Sequence, residues 1–452
     1  MLFERIESEG LAHYSYLIGD GNQAVVIDPR RDARAYVEKA SRAGMRITHV
    51  LETHRNEDYV IGSLELADLT DAAVLHSGEG DLAYGYGEPI MDGETVTVGR
   101  LRLKGLHTPG HTLGHMSFLL HDPDGEPWII FTGDALFAGD VGRTDFYGQD
   151  RLAEITGLLY DTLFHKILPL GDEVIVCPAH GAGSACGTAI AERTWTTIGL
   201  ERKHNPRLQY TDKDAFVANV GKVLEYPPYF RMMEVLNLEG PPVVGSLPSV
   251  PPLRPYEFAA QATDAQVVDT RMELGFSAAH VPGALSIPEG RLASFAGWFL
   301  SYDRPILLVA ETNDVSGPVR HLARMGYDNV AGFLAGGMLA WHTAGLASER
   351  IEVVTVQELC ERIDGDEEPW ILDVRSEEEA ERTEIPTAHR VHLTQLPERM
   401  DEVLRGQQVY VFCGSGLRSM IAASLLQRAG YDDLTVVLGG LAGWSSVSCP
   451  LE

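Results

Sequence analysis

Apolar residues in the first 240 positions fall in short runs of strand length. They occupy 14–18, 24–27, 49–52, 101–105, 116–120, 128–132 and 173–177, and turn-forming residues bound them. Between them, 32–43 and 151–167 carry apolar residues at helical spacing, which predicts helices. Most of the strand runs end at a turn bearing His or Asp, where side chains of successive loops can converge on a cleft.

Residues 241–255 hold six prolines. Such a stretch can neither continue a helix nor pair as a central strand, so it reads as an extended linker. Beyond it the sequence repeats itself at a period of about 103–104 residues. Val267-Val-Asp-Thr-Arg271 matches Leu372-Asp-Val-Arg375, Gly326-Tyr-Asp-Asn matches Gly430-Tyr-Asp-Asp, and Gly336-Gly337 with Trp341 matches Gly439-Gly440 with Trp444. A period this long means duplicated domains. Each copy alternates short apolar runs (306–309, 409–412) with helical patterns, which predicts two α/β domains with parallel sheets. The boundaries that follow are 1–240, linker 241–255, 256–349 and 350–452.

Composition changes this picture little. Hydrophobic residues make up 44% and charged residues 22% of the 452 positions, an ordinary globular balance. A net charge of -29 repels phosphate backbones and excludes nucleic acid as a partner class. The acidic stretch 358–384 reads as solvated surface. Mean hydropathy is -0.07 and no run is long enough to span a bilayer, so no membrane role is expected. Met1-Leu2-Phe3-Glu4-Arg5 has no signal-peptide pattern. The five cysteines, at 177, 186, 360, 413 and 449, are odd in number and scattered; they form no disulfide framework and point to a reducing cytoplasm.

Four segments carry candidate ligands in the first part: Thr53-His54-Arg55-Asn56-Glu57-Asp58-Tyr59, His107-Thr-Pro-Gly-His111-Thr-Leu-Gly-His115, Thr132-Gly-Asp134, and Pro178-Ala-His180-Gly. Their order resembles the metallo-β-lactamase superfamily over residues 1 to about 235. The resemblance implies an αββα fold with a metal site at the strand ends. The family's first motif is usually H-x-H-x-D-H, and here Asn56 and Tyr59 replace two histidines, removing one donor from each ion of a dinuclear hydrolase.

His54, His111 and Asp134 remain. Two imidazoles and a carboxylate with open positions suit non-haem Fe(II). These positions match the triad of the persulfide dioxygenase branch, which implies a mononuclear Fe(II) cofactor. Arg143, in Gly142-Arg-Thr-Asp145, resembles that branch's substrate-binding arginine. Asp58, His115 and His180 are expected to orient ligands or line the pocket, and Cys177 and Cys186 to be buried thiols.

The last copy reads Cys413-Gly-Ser-Gly-Leu-Arg418 between a strand run and a helical run. Backbone N–H groups of such a turn, the helix N-terminus and Arg418 would all stabilise a thiolate or persulfide anion. This resembles the active loop of the rhodanese family, with Cys413 as nucleophile. The middle copy has the framework without the cysteine and carries Glu311 and Asp314 at the loop, so it reads as an inactive rhodanese-like domain.

The whole resembles a persulfide dioxygenase–rhodanese fusion. That implies an enzyme that oxidises a small thiol persulfide with O₂ to sulfite, and that links persulfide, sulfite and thiosulfate by sulfur transfer in sulfide detoxification. The competing reading is a glyoxalase II-like zinc thioester hydrolase fused to a sulfurtransferase. A homo-oligomer is compatible with the sequence and not specified by it.

Overall fold

The computed structural model describes residues 1–447 except 81, 188, 246, 248, 366, 367 and 386. The chain divides into two compact units, Met1–Pro248 with Leu322–Gly326, and Ser249–His321 with Tyr327–Glu452.

The first unit holds two six-stranded sheets. One runs in chain order through Leu2–Ser8, His13–Asp20, Gln23–Ile27, Arg46–Leu51, Ala73–Ser77 and Glu88–Ile90. The other has the order Thr196–Thr197, Ile175–Pro178, Pro127–Gly133, Met116–His121, Leu101–His107, Thr95–Val98. Side chains alternate between faces along each strand, and the packing follows that alternation. Ile18, Val25 and Ile27 of the first sheet meet Met116, Phe118, Leu120 and Phe131 of the second in one core. Leu17 and Val26 face outward onto Tyr36 and Ala40 of the helix Arg34–Arg42. Leu119, Ile130 and Val176 face outward onto Leu159 of the helix Leu152–Asp161, with Ile198 and Phe216. The result is helix, sheet, sheet, helix.

The helical pattern at 151–167 is not one regular helix. The α-helix Leu152–Asp161 widens into a π-helical stretch, Thr162–Ile167. There the Thr162 hydroxyl donates to the Pro109 carbonyl at 2.7 Å, in the turn that leads to His111.

The second unit holds two five-stranded parallel sheets of the same order. The first is Pro252–Leu253, Val330–Leu334, Ile306–Val309, Gln266–Asp269, Leu285–Ser286; the second is Glu352–Thr355, Leu434–Leu438, Val409–Phe412, Trp370–Asp373, His389–Arg390. The central strands are buried on both faces, which is why they read as unbroken apolar runs. The proline-rich stretch ends inside the first of these sheets, Pro252–Leu253 forming its edge, where a missing N–H is tolerated.

The two copies pack on each other through the helix Leu417–Arg428, whose residues Ser419 to Leu426 are all buried. The Ser424 hydroxyl accepts from the Ser286 N–H at 3.1 Å, and His280 Nε2 lies 2.9 Å from Gln427 Oε1. Cys177, Cys186 and Cys413 are free and buried. Cys360 is disulfide-bonded, a pairing the scattered spacing did not predict; Cys449 lies outside the described residues. No helix among the described residues is long and apolar enough to cross a membrane.

Ser424→Ala leaves the buried Ser286 N–H without its acceptor, which costs about 1–3 kcal/mol. A lower urea midpoint for the second unit, with the first unit's transition unmoved, is the expected result.

Candidate functional site

In the first unit the four strands that feed the site end within a few residues of their polar side chains. Arg46–Leu51 leads to His54, Leu101–His107 to His111, Pro127–Gly133 to Asp134, and Ile175–Pro178 to His180. Gly133 makes the Asp134 turn possible. Its φ is +50°, and a Cβ there would sit 2.5 Å from His115 Nε2 and 2.7 Å from Thr53 Oγ1.

His54 Nε2, His111 Nε2 and Asp134 Oδ2 converge. Asp134 Oδ2 lies 3.8 Å from His54 Nε2 and 3.5 Å from His111 Nε2. All three atoms are buried and make no hydrogen bond among the described residues. These donors also form a group that could hold a metal ion. Three orphaned polar atoms aimed at one point fit a metal ion, because burial without a partner is otherwise costly.

Hydrogen bonds on the far side of each ring set the tautomers. Thr53 Oγ1 donates its single proton to Asp28 Oδ2 at 2.7 Å, so it must accept from His54 Nδ1–H at 2.9 Å. His54 Nε2 then keeps its lone pair for the ion. Burial raises Asp28 to about 7 against the two hydrogen bonds from Thr53. His111 Nδ1–H donates to the Arg143 carbonyl at 2.9 Å, which leaves His111 Nε2 free as well.

The remaining candidates surround Asp134. His115 Nε2 accepts from the Asp134 N–H at 3.0 Å, and its Nδ1 lies 2.8 Å from Thr108 Oγ1. Burial pushes His115 down to about 3, so the ring is neutral. His180 Nδ1 donates to Asp134 Oδ1 at 2.7 Å, and its Nε2 lies 2.8 Å from Asp58 Oδ2. Burial opposes charge on His180, but Asp134 and Asp58 outweigh it and raise its pKa well above the ordinary histidine value. Asp58, His180 and Cys186 form a second group of potential donors.

Asn56 and Tyr59 are both buried, and Asn56 Oδ1 makes no hydrogen bond among the described residues. The Asn56 amide donates to the His54 carbonyl at 3.3 Å, and the Tyr59 ring lies against His13 in a tilted arrangement, centroids 4.0 Å apart. The Arg143 guanidinium is fully engaged. It grips Asp145 in bidentate fashion at 2.7 and 2.8 Å and donates to the carbonyls of Ala185, Glu225 and Leu224. Its place near the metal cluster comes through its carbonyl. Glu57, which the sequence did not single out, is fully buried, and its Oε2 lies 3.6 Å from His111 Nε2.

In the second unit Cys413 follows the strand Val409–Phe412, and the helix Leu417–Arg428 begins directly after the turn. The carbonyls of Cys413, Gly414 and Ser415 accept from the N–H groups of Leu441, Ala442 and Gly439 at 3.0, 3.1 and 2.9 Å. With its carbonyls tied back, the turn presents an N–H to the sulfur: Gly416 donates to Cys413 Sγ at 3.1 Å. Gly440 permits this packing, since a Cβ there would sit 2.2 Å from the Cys413 oxygen. Arg418 forms a bidentate pair with Glu379 at 2.6 and 2.7 Å, and the guanidinium holds Glu379 down to about 2. A cavity of about 350 Å³ opens over the turn, lined by Ser415, Leu417 and Arg418 together with Arg291 and Phe295 of the other copy.

The corresponding loop of the other copy has no cysteine, and its side chains turn onto nearby N–H groups. Asn313 Oδ1 accepts from the Gly336 N–H at 2.9 Å, and Asp314 Oδ1 accepts from the Ser316 N–H at 3.0 Å.

Residues 9–180 match the Metallo-beta-lactamase superfamily, and residues 255–344 and 355–447 each match the Rhodanese-like domain. Over 237 residues the chain is 32% identical to the mitochondrial persulfide dioxygenase ETHE1 of Bos taurus, covering 50% of this chain and 78% of that protein. Over 218 residues it is 30% identical to the hydroxyacylglutathione hydrolase GloC of Haemophilus influenzae, covering 43% of this chain and 91% of that one. The crystal structure of a metallo-beta-lactamase from Staphylococcus aureus aligns with 74% of this chain and 99% of its own, at a TM-score of 0.67 and 29% identity.

Thr53→Val removes the acceptor that fixes the His54 tautomer. Metal affinity is expected to fall about 10- to 100-fold, the usual effect of losing a partner behind a ligating histidine. Metal titration against a competing chelator reads this directly.

Proposed function

Because the chain belongs to the metallo-β-lactamase superfamily and continues into two rhodanese-like domains, we propose that it is a mononuclear iron persulfide dioxygenase coupled to a sulfurtransferase. The observation that carries this reading is the convergence of His54 Nε2, His111 Nε2 and Asp134 Oδ2, with Asn56 and Tyr59 where the superfamily's dinuclear hydrolases place imidazoles. Similarity to persulfide dioxygenases adds support.

The reaction consumes one thiol persulfide, one O₂ and one water, and yields the thiol and sulfite. His54, His111 and Asp134 would hold Fe(II), which supplies O₂ activation and a binding position for the sulfur substrate. Thr53, His115 and the Arg143 carbonyl orient the three donors. His180, pinned between Asp134 and Asp58, holds the Asp134 carboxylate at the angle that leaves Oδ2 free. Arg143 anchors the Asp145 turn, and through it the pocket wall that a substrate meets.

In the second unit the Cys413 thiolate attacks the outer sulfur of thiosulfate. A Cys413–sulfur bond forms, the sulfur–sulfur bond of the donor breaks, and sulfite departs with the electron pair. The reverse step carries sulfane sulfur from Cys413 to sulfite. The Gly416 N–H, aimed at Sγ, stabilises the anionic sulfur in either direction. Linking both activities in one chain raises the effective concentration of their shared intermediates.

A second reading has one observation in its favour. Asp58, His180 and Cys186 stand together as a second donor group, and the chain is also similar to a hydroxyacylglutathione hydrolase. A zinc thioester hydrolase would need His180 as a free ligand. His180 Nδ1 is engaged by Asp134 Oδ1 at 2.7 Å, while its Nε2, 2.8 Å from Asp58 Oδ2, makes no hydrogen bond among the described residues and keeps this second donor group open to an ion.

Metal analysis with O₂ uptake separates the two readings. One iron per chain and O₂ consumption on a persulfide support the dioxygenase; two zinc ions with thioester hydrolysis overturn it. His111→Ala is expected to abolish iron binding and O₂ uptake together. Cys413→Ser is expected to remove thiosulfate sulfur transfer and to leave O₂ uptake near the wild-type rate. Unchanged sulfur transfer in that variant would sink the assignment of Cys413.

A further inference from the structure

The cavity over the Cys413 turn has walls of two origins. Ser415, Leu417 and Arg418 belong to the copy that holds the cysteine, and Arg291 and Phe295 to the copy that lacks one. Both copies lie in the same compact unit. The helix Leu417–Arg428 brings the two walls together. Near its C-terminal end Gln427 meets His280, and one turn earlier Ser424 meets Ser286. From Ser286 the other copy runs through the short turn Glu289–Arg291 into the helix Leu292–Phe299. Arg291 thereby arrives at the N-terminal end of Leu417–Arg428, beside Leu417 and Arg418. Phe295 follows four residues later, on the same side of its helix.

The two guanidinium groups that line this cavity are not equivalent. Arg418 is closed in its bidentate pair with Glu379 at 2.6 and 2.7 Å. The Arg291 guanidinium makes no hydrogen bond or ion pair among the described residues. Glu289, the nearest acid in the sequence, is turned elsewhere: a Cβ on Gly317 would overlap its Oε1. No carboxylate lines the cavity among the described residues. An arginine that faces a cavity without a carboxylate partner keeps its forked N–H donors for an oxyanion.

We propose that Arg291, supplied by the copy without a cysteine, is the oxyanion receptor of the Cys413 site. Its fork would hold the sulfonate end of thiosulfate, or the departing sulfite, while the outer sulfur meets the Cys413 turn. The inference rests on the reading of Cys413 as the sulfur-transfer nucleophile and deepens it. The two ends of the donor then have separate receptors, because the Gly416 N–H is already aimed at the sulfur. Phe295 and Leu417 flank the cavity with apolar surface, which limits the water that would otherwise weaken a charged contact. The inactive copy is thus a wall of the active one's pocket.

The test compares full-length wild type with Arg291→Gln, which removes the charge, and Arg291→Lys, which keeps the charge without the fork. The first readout is sulfur transfer from thiosulfate to cyanide. Arg291→Gln is expected to raise the KM for thiosulfate about 10- to 100-fold, the usual effect of losing a hydrogen-bonded charge, and to change kcat less. Arg291→Lys is expected to fall between it and wild type. The second readout is alkylation of Cys413 by iodoacetate, an anion, and by neutral iodoacetamide, followed on the Cys413 peptide by mass spectrometry. The iodoacetate rate is expected to drop in Arg291→Gln while the iodoacetamide rate stays at the wild-type value. An equal change with both reagents means an altered pocket and overturns the oxyanion role. A wild-type KM with a wild-type ratio of the two alkylation rates in Arg291→Gln also overturns it and leaves Cys413 standing. Sulfur transfer that survives Cys413→Ser overturns the reading of Cys413 itself, whatever Arg291 does.

Discussion

One buried carboxylate organises the first unit. Asp134 stands at the end of a strand with no exposure to water, where an ionised group persists only if charges and hydrogen bonds surround it. Burial works against its charge, and His180, whose Nδ1 donates to Oδ1, leads in overcoming that, so the pKa is held far below the carboxylate range. Oδ1 is spent on His180, and Oδ2 is left over. Its backbone is fixed too. His115 takes the N–H, and Gly142 passes so close that a Cβ there would overlap the Asp134 carbonyl oxygen. The site's other glycine, Gly133, and the neutral state of His115 follow from the same requirement.

The second unit handles negative charge without buried carboxylates at the reacting atom. Its turn ties back three carbonyls and leaves N–H groups for sulfur. The duplicated copy shows what that depends on. Both copies have the same sheet order and the same Asp–Arg pair after the equivalent strand, Asp269 with Arg271 and Asp373 with Arg375. They diverge at the loop. Where the other copy has Cys413, this loop has no cysteine, and Asn313 and Asp314 turn their side chains onto the N–H groups of Gly336 and Ser316. The framework is therefore structural in both copies, and the chemistry lies in a few residues of turn.

The sequence disclosed what repeats or alternates. The doubly buried strands 306–309 and 409–412, the duplication, and the strands at 24–27 and 116–120 were all legible as apolar pattern. Leu2–Ser8, Ala73–Ser77, Glu88–Ile90 and Thr95–Val98 were not, because they are short, peripheral or studded with polar residues and leave a weak period. His54, His111 and Asp134 were legible because motif order survives in the chain. The network behind them was not. Thr53 lies in the motif, but its partner Asp28 is brought to it only by the parallel pairing of Gln23–Ile27 with Arg46–Leu51. The partners of charged residues were also invisible: a formal positive charge was read at Arg418, and Glu379, which offsets it, lies on another helix. Glu57 was passed over because the motif assigns no role to its position. The signal that finds it is a buried atom with no partner, which only coordinates supply.

The two units place different charges around their candidate reacting atoms. In the proposed reaction, oxidation at the first site would turn a persulfide sulfur into sulfite, an anion at neutral pH. Asp58, Asp134 and Glu57 are all buried there, and Asp134 and Glu57 stand beside His111. Ionised carboxylates in such a place would repel any anion, substrate and product alike, since like charges in a poorly screened pocket repel strongly. The cavity over the turn at Cys413 has Arg291 and Arg418 on its walls, with Arg418 already paired to Glu379, and the Gly416 N–H points at the sulfur. In the second unit, reception of an anion at the turn therefore draws on its backbone N–H groups more than on a free Arg418 charge.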